Sequence, residues 1–348
     1  MSIKLSIAPR TLHFKQPAGT SRGVYTTRQS WFVTATDNAH PDIRGVGECA
    51  PLPDLSCDAT PNYEERLKEL CNMVEAKGSI CYDTLRPYPS VLFGLETALL
   101  DLKRGGTGVL FDNSFARGEA GIPINGLVWM GNYDEMLQRL EEKMRAGFRC
   151  VKLKIGAIDF DRELDLVRHI RSAFTKEQIE LRVDANGGFT VDCALQRLEQ
   201  LAQYDIHSIE QPIRQHQWEE MAALCKATPI PIALDEELIG VNDKTEKEEL
   251  LDRIRPHYII LKPSLHGGMY GSREWIALAG KRGIGSWITS ALESNVGLNA
   301  IAQFAADVYG ENITMPQGLG TGQLFTDNIP MPLEIRGDKL WRTFNVSK

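Results

Sequence analysis

Three acids each close a short apolar run: Leu181-Arg-Val-Asp184, His207-Ser-Ile-Glu210 and Ile232-Ala-Leu-Asp235. If these runs are consecutive strands of one sheet, the carboxylates of Asp184, Glu210 and Asp235 crowd together at one end of it. Like charges so placed must raise a pKa or be neutralised by a cation. A hard, all-oxygen donor set suits magnesium, or manganese, better than zinc. Each acid taken singly has an ordinary alternative role as cap of the helix that follows. Three in register point instead to a metal site.

Lys152 and Lys154 lie two apart in Val151-Lys-Leu-Lys-Ile155 and so share one face of a strand. At a sheet edge such a pair is a solvated rim. Here the run immediately precedes the one carrying Asp184, which predicts that both ammonium groups point inward. Neighbouring cations disfavour protonation, so the pair is expected to bring a lysine pKa down towards the range of a base, with Lys154 nearer the strand end. Lys262 ends the run Tyr258-Ile-Ile-Leu-Lys262. It either pairs with Asp235 or Glu236, forms a Schiff base, or faces a shared ligand from the opposite side. The acidic triad argues against the Schiff base. Arg182 shares a face with Asp184 and serves either a ligand carboxylate or a neighbouring acid. A carboxylate substrate on a divalent ion has its α-hydrogen acidified, because metal and ammonium groups take up the developing charge. Proton abstraction α to a carboxylate is the chemistry these residues suit.

The elements that must position them are legible in the spacing. From Lys154 through Asp184, Glu210, Asp235 and Lys262 to Thr289 the intervals are 30, 26, 25, 27 and 27 residues, the length of a strand plus a helix. Between runs lie amphipathic stretches. One opens with Asn132 and Glu135 as a capping box and stops at Gly147. Seven or eight such units close into a barrel whose strand ends share one mouth. An open doubly wound sheet is the alternative, but no G-x-G-x-x-G follows a first strand and there is no P-loop. The first fifty residues read as a strand meander, followed by helices around 64–76 and 90–103. The polar stretch 17–23 is a loop, either a connector or a cover over a ligand. Pro316-Gln-Gly-Leu-Gly-Thr-Gly-Gln323 reads as a flexible rim loop, with a phosphate cradle as the alternative.

Composition narrows the partners. The chain has 348 residues, 43% of them hydrophobic, and a formal charge of −7. Mild acidity gives no electrostatic reason to expect nucleic acid or an anionic membrane. No stretch approaches the roughly 20 apolar residues of a membrane span. Seven cysteines without a C-x-x-C pair signal neither a disulfide framework nor a zinc cluster. The amino terminus alternates like a strand and lacks signal-peptide features, so a cytoplasmic, small-molecule enzyme is expected.

Five segments together, Val151-Lys-Leu-Lys-Ile-Gly156, Leu181-Arg-Val-Asp-Ala-Asn186, Ile209-Glu-Gln-Pro212, Ala233-Leu-Asp-Glu-Glu237 and Leu261-Lys-Pro263, resemble the enolase superfamily in order and spacing. Gly45-Val-Gly-Glu-Cys-Ala-Pro51, Ile124-Asn-Gly126 and Thr289-Ser-Ala-Leu-Glu-Ser-Asn-Val-Gly-Leu298 extend the resemblance within its two-lysine subgroup. It implies an α/β fold, a (β/α)7β modified TIM barrel over 116–317. An α+β capping domain would occupy 1–115, completed by 318–348, and the 19–23 loop would close the site. It further implies Mg2+ on Asp184, Glu210 and Asp235, with Asn186 supporting that site. Lys154 is implied as base and then acid, Lys152 as its helper and Lys262 as a protonated stabiliser. Arg182 is carried as a substrate contact, and Ser290 would meet a succinyl tail. The implied activity is dehydration of 2-succinyl-6-hydroxy-2,4-cyclohexadiene-1-carboxylate, a step of menaquinone synthesis. Racemisation of N-succinylamino acids is the rival, and a non-enzymatic binding barrel a remote one. The Asp-x-Asp by which the superfamily's dipeptide epimerases hold an amine has no counterpart in 316–323.

Overall fold

The computed structural model describes all residues except 1, 21–22, 130, 157–158, 312 and 344–348. It opens with an antiparallel sheet of β1 (Ile3–Thr20), β2 (Gly23–Asp37) and β3 (His40–Cys49), in that order. Helices α1 (Tyr63–Lys77), α2 (Tyr82–Leu85) and α3 (Pro89–Lys103) follow. Val33 and Ala35 of β2 are fully buried, against Leu67, Val74, Leu92 and Leu95 of the helices. The glycines of Gly45-Val-Gly47 have a packing reason: a Cβ there would lie 2.1 Å from Ala98 O and 1.9 Å from Gly94 O. Only bare backbone lets α3 cross β3 so closely.

The stretch 17–23 is not a free loop. Ala18, Gly19 and Thr20 pair with Tyr25, Val24 and Gly23 in an extended hairpin, past an irregularity between His13 and Ala18. Residues 21–22, at its tip, lie outside the described residues.

After β4 (Ile122–Pro123) the expected alternation begins. Its members are β5 (Gly126–Val128), α4 (Tyr133–Arg145), β6 (Cys150–Lys154), α5 (Phe160–Ala173), β7 (Glu180–Asp184), α6 (Val191–Leu201), β8 (Ser208–Glu210) and α7 (Trp218–Ala227). Then come β9 (Ile232–Leu234), α8 (Lys244–Ile254), β10 (Tyr258–Leu261), α9 (Gly268–Gly280), β11 (Gly285–Ile288) and α10 (Asn295–Tyr309). Strands β5 to β11 form one parallel sheet in chain order. The capping box that starts α4 is present: Asn132 Oδ1 accepts from Glu135 N at 3.0 Å, and Glu135 Oε2 from Asn132 N at 3.1 Å.

Closure of the ring comes from the glycine-rich segment, which corrects its reading as a rim loop. Gln317 pairs parallel with Ile124, and Gly318 with Thr289. Gly318 N donates to Ile288 O at 2.8 Å, and Gln317 Oε1 accepts from Ile288 N at 2.7 Å. A Cβ at 318 would fall 2.1 Å from Thr289 Oγ1, so this short eighth strand needs glycine there. The arrangement is the expected (β/α)7β barrel. Beyond it, β12 (Leu333–Arg336) pairs with β13 (Lys339–Arg342) and β13 with β4, and Phe325 bridges back to Phe14 of β1.

The strand runs have two faces with different tasks. Val151, Leu153, Ile209, Ile232 and Leu261 are fully buried under the helices. The alternate positions point into the ring, where Ala233, Ile260 and Trp287 pack together low in the barrel. No helix among the described residues is long and apolar enough to cross a membrane.

Candidate active site

The parallel register sets the site. Lys154 stands beside Asp184 and Asp184 beside Glu210, so three chemically active side chains occupy one inward-facing rung. Lys152 lies a rung below, opposite Arg182. Asp235 and Lys262 follow directly on β9 and β10. Asp184 and Asp235 are fully buried, and Glu210 is 3% exposed.

Ammonium groups interleave with the carboxylates. Lys152 Nζ lies 3.1 Å from Asp184 Oδ2 and 2.8 Å from Glu210 Oε2. Lys154 Nζ donates to Asp184 Oδ2 at 2.9 Å and to Asn186 Oδ1 at 2.6 Å. Lys262 Nζ sits on Asp235 Oδ2. Asn186, in a left-handed conformation with φ 44°, donates through Nδ2 to Glu236 Oε1 at 2.8 Å. As the side chains now stand, no group of three His, Cys, Asp or Glu among the described residues converges closely enough to hold a metal. The lysines are between them.

The electrostatics of this cluster are strained. Burial, reinforced by Asp184, pushes the Glu210 carboxyl up to about 8. Burial also works to raise Asp184, but Lys152 and Lys154 outweigh it and hold that carboxyl well below the usual range. Lys152 loses solvation too, yet Asp184 and Glu210 keep it above the ordinary lysine range. Lys262 is likewise raised, burial being outweighed by Asp235, Glu236 and Glu210. Of the pair expected to bring a lysine down, Lys152 is instead raised, because the carboxylates of Asp184 and Glu210 lie against it. Asp235 Oδ1 and Glu236 Oε2 are buried without a hydrogen-bond partner.

Around the cluster is a cavity of about 330 Å3. Its polar wall carries Lys152, Lys154, Asp184, Asn186, Glu210, Asp235, Glu236, Lys262 and Ser290. Tyr25 of the hairpin, Leu52, Leu55, Trp129 and Leu292 form an apolar side, and Thr321 and Gln323 also line the cavity. Ser290 Oγ and Thr321 Oγ1 share a hydrogen bond of 2.6 Å. The structure therefore brings together eight of the nine expected residues.

Arg182 is the exception. It is not among the lining residues; it bonds Glu180 Oε1 through Nε at 2.7 Å and Pro316 O through Nη1 at 2.9 Å, and stacks 4.4 Å from the Trp287 ring centroid. The neighbouring-acid alternative is what the structure shows. One rung below Asp184, a long side chain turned to the barrel floor meets Glu180 and aromatic packing before it can reach the mouth.

Other site residues escaped sequence reasoning. Gln211, fully buried at φ 39°, accepts from Asp235 N at 3.2 Å and Glu237 N at 3.3 Å and so orients the turn that presents Asp235. Its only signal was its place between Glu210 and Pro212. The apolar wall had none, since a lone Leu52 or Trp129 reads like any core residue.

Comparison with known proteins gives the same picture. A family model for the enolase C-terminal domain-like fold matches residues 135–337, and one for the MenC N-terminal domain matches 20–102. The chain is 47% identical to the o-succinylbenzoate synthase of Desulfotalea psychrophila, over 97% of this chain and 98% of that protein. The crystal structure of MenC from D. psychrophila superimposes with a TM-score of 0.82 at 43% identity, covering 98% and 100% of the two chains. A dipeptide epimerase from Enterococcus faecalis, complexed with Mg and a dipeptide, shares the fold at TM-score 0.81 with only 20% identity, over 99% and 98% of the chains. Matched end to end by a synthase and by both halves of its fold, the chain belongs to the enolase superfamily and, within it, to the o-succinylbenzoate synthase family.

Proposed function

We propose that this chain removes water from 2-succinyl-6-hydroxy-2,4-cyclohexadiene-1-carboxylate to give o-succinylbenzoate, with a divalent ion, Mg2+ or Mn2+, as cofactor. One observation carries the reading. In a chain 47% identical throughout to such a synthase, Lys152, Lys154 and Lys262 share one cavity with Asp184, Glu210 and Asp235.

The residues fit a divalent ion. The donors are carboxylate oxygens, Asp235 Oδ1 is buried without a partner, and burial, reinforced by the charge of Asp184, already drives Glu210 towards its neutral form. Asp184, Glu210 and Asp235 would hold the ion, with Asn186 tying Asp184 to Glu236. When bound, it supplies Lewis-acid stabilisation of the charge that develops on the substrate carboxylate.

The chain's own residues do the rest. Lys154, as the neutral amine, takes the proton α to the ring carboxylate through Nζ. The electron pair left behind moves into the ring and the C–O bond to the hydroxyl breaks. Lys154 then returns its proton to the departing oxygen, so water leaves and the amine is restored. Lys262, held protonated by Asp235, places fixed positive charge on the other side of the ligand. Lys152 adds charge between Asp184 and Glu210. Ser290 and Thr321 offer hydroxyls to the succinyl tail, against the apolar wall of Leu52 and Leu292.

The division into a cap over 1–115, a barrel over 116–317 and a returning tail belongs to the same reading. It is supported by Lys15 N donating to Leu324 O at 2.8 Å and Thr326 N to His13 O at 2.9 Å.

The purified protein should form the aromatic product from the cyclohexadiene acid with Mg2+ and lose that activity with chelator. A second reading, racemisation of N-succinylamino acids, is favoured by lysines lying on both sides of the cavity. Proton NMR in deuterium oxide separates them. Exchange at the α-carbon of succinylated amino acids without formation of o-succinylbenzoate would replace the first reading by the second.

A further inference from the structure

Arg28, on β2 five residues past the hairpin turn at Gly23, is only 2% exposed. Its guanidinium is spent on backbone. It donates to Pro51 O, to Ala50 O at 2.5 Å, to Leu292 O at 3.3 Å and to Ala291 O at 3.4 Å. Two of these carbonyls belong to the segment after β3 and two to the segment after β11. Leu52 and Leu55 of the first, and Ser290, Ala291 and Leu292 of the second, line the cavity.

The second segment needs holding. Leu292 has φ 65°, a left-handed conformation that a side-chain-bearing residue keeps only when its surroundings enforce it. Arg28 fastens the carbonyls at 291 and 292. From the other side Ala291 N donates to Glu293 Oε2 at 2.7 Å, and Ser264 Oγ donates to the other oxygen of Glu293. Glu48, the second buried acid near Arg28, is occupied by Ser30 Oγ at 2.8 Å, Ser294 N at 3.0 Å, Ser294 Oγ at 2.5 Å and Gly297 N at 3.0 Å. One buried cation thus lies among two buried acids and four carbonyls.

We propose that Arg28 is a positioning residue for substrate: it locks the 50–52 and 290–292 walls to each other and holds Leu292 left-handed, and so sets substrate affinity rather than proton transfer. The proposal rests on the cavity being the substrate site. A lysine keeps the charge but concentrates its donors on one nitrogen and cannot span four carbonyls of two segments.

The test is Arg28→Lys, read by steady-state kinetics with the cyclohexadiene acid and by amide hydrogen exchange. KM should rise by about tenfold or more while kcat stays within about threefold, and exchange in 50–55 and 289–294 should accelerate. In a Leu292→Gly background, where left-handed backbone needs no enforcement, the same change should raise KM by less than about threefold. A fall in kcat at unchanged KM, or unaltered exchange in both segments, overturns the proposal. If Arg28→Lys does not fold, Glu293→Gln serves: its oxygen can still accept from Ala291 N and its amide N–H can donate to Ser264 Oγ, while the charge facing Arg28 is removed, and an unchanged KM would likewise overturn the proposal. A wild-type protein inert towards the cyclohexadiene acid, with exchange in both segments still sensitive to Arg28→Lys, would sustain the clamp and remove the reaction assigned to the cavity.

Discussion

Lys154 Nζ is shared between Asp184 Oδ2 and Asn186 Oδ1, which aims it without fixing it to one charge. Replacing it with alanine deletes the amine that moves the proton. Lys154→Ala is expected to lose roughly 10^2–10^4-fold or more in kcat, with an unchanged circular dichroism spectrum; near-normal dehydration would remove Lys154 from the chemistry. Asp184→Asn takes a charge from the proposed ion site while keeping the shape. Calorimetric titration with Mg2+ should show affinity weakened by at least about tenfold, about 1.4 kcal/mol, and equal affinity would place the ion elsewhere. At this scale sequence reading did well where identity and position suffice, as for the acids and lysines at strand ends. It stayed undecided where a long side chain chooses its direction: of the two partners open to Arg182 the structure shows the acid, Glu180, and Arg28 carries no signal until its four carbonyl partners are visible.

The elements follow from intervals of one strand plus one helix, and the site from their register. Because the side-chain period of a strand is two, a shift of β7 by one residue against β6 would turn Asp184 out of the ring. The shortest pairing among these elements is that of the eighth strand, where Gln317 and Gly318 bridge to Ile124 and Thr289. Gly318→Ala drives a methyl into Thr289 Oγ1 and backbone, and is expected to destabilise by about 1–3 kcal/mol in urea unfolding. Unchanged stability would show that closure does not depend on this contact. The strand was illegible beforehand for a physical reason: two residues carry no periodicity, and a glycine that reads as freedom marks, at Gly318, close approach to Thr289.

At the scale of the whole molecule, α3 and the barrel meet through a buried acid. Glu96 accepts from Met269 N at 2.6 Å and Tyr270 N at 3.0 Å, at the start of α9. Burial pushes its carboxyl up to about 8 from an ordinary value of 4.5. The folded protein therefore binds a proton that the unfolded chain releases between those values. This contribution to stability is complete below about pH 4.5 and is lost as pH rises through about 8. Comparison of wild type with Glu96→Gln by thermal or urea unfolding should show the wild type losing about 1–3 kcal/mol more between pH 5 and 8; parallel curves would contradict it. No sequence pattern announced this contact, since Glu96 sits in an apolar helix like any tolerated polar residue and its partners are 173 and 174 residues away.

The ring is sealed by Gln317 and Gly318, and the first hairpin is fastened by Leu324 and Phe325. During synthesis, then, both halves wait for residues 317–325. A nascent chain still inside the ribosome carries an open sheet with unpaired margins at β5 and β11. Native structure should be acquired in one late step once residues 317–325 are available, so that a chain truncated before Gln317 is prone to clumping instead of being a smaller working enzyme.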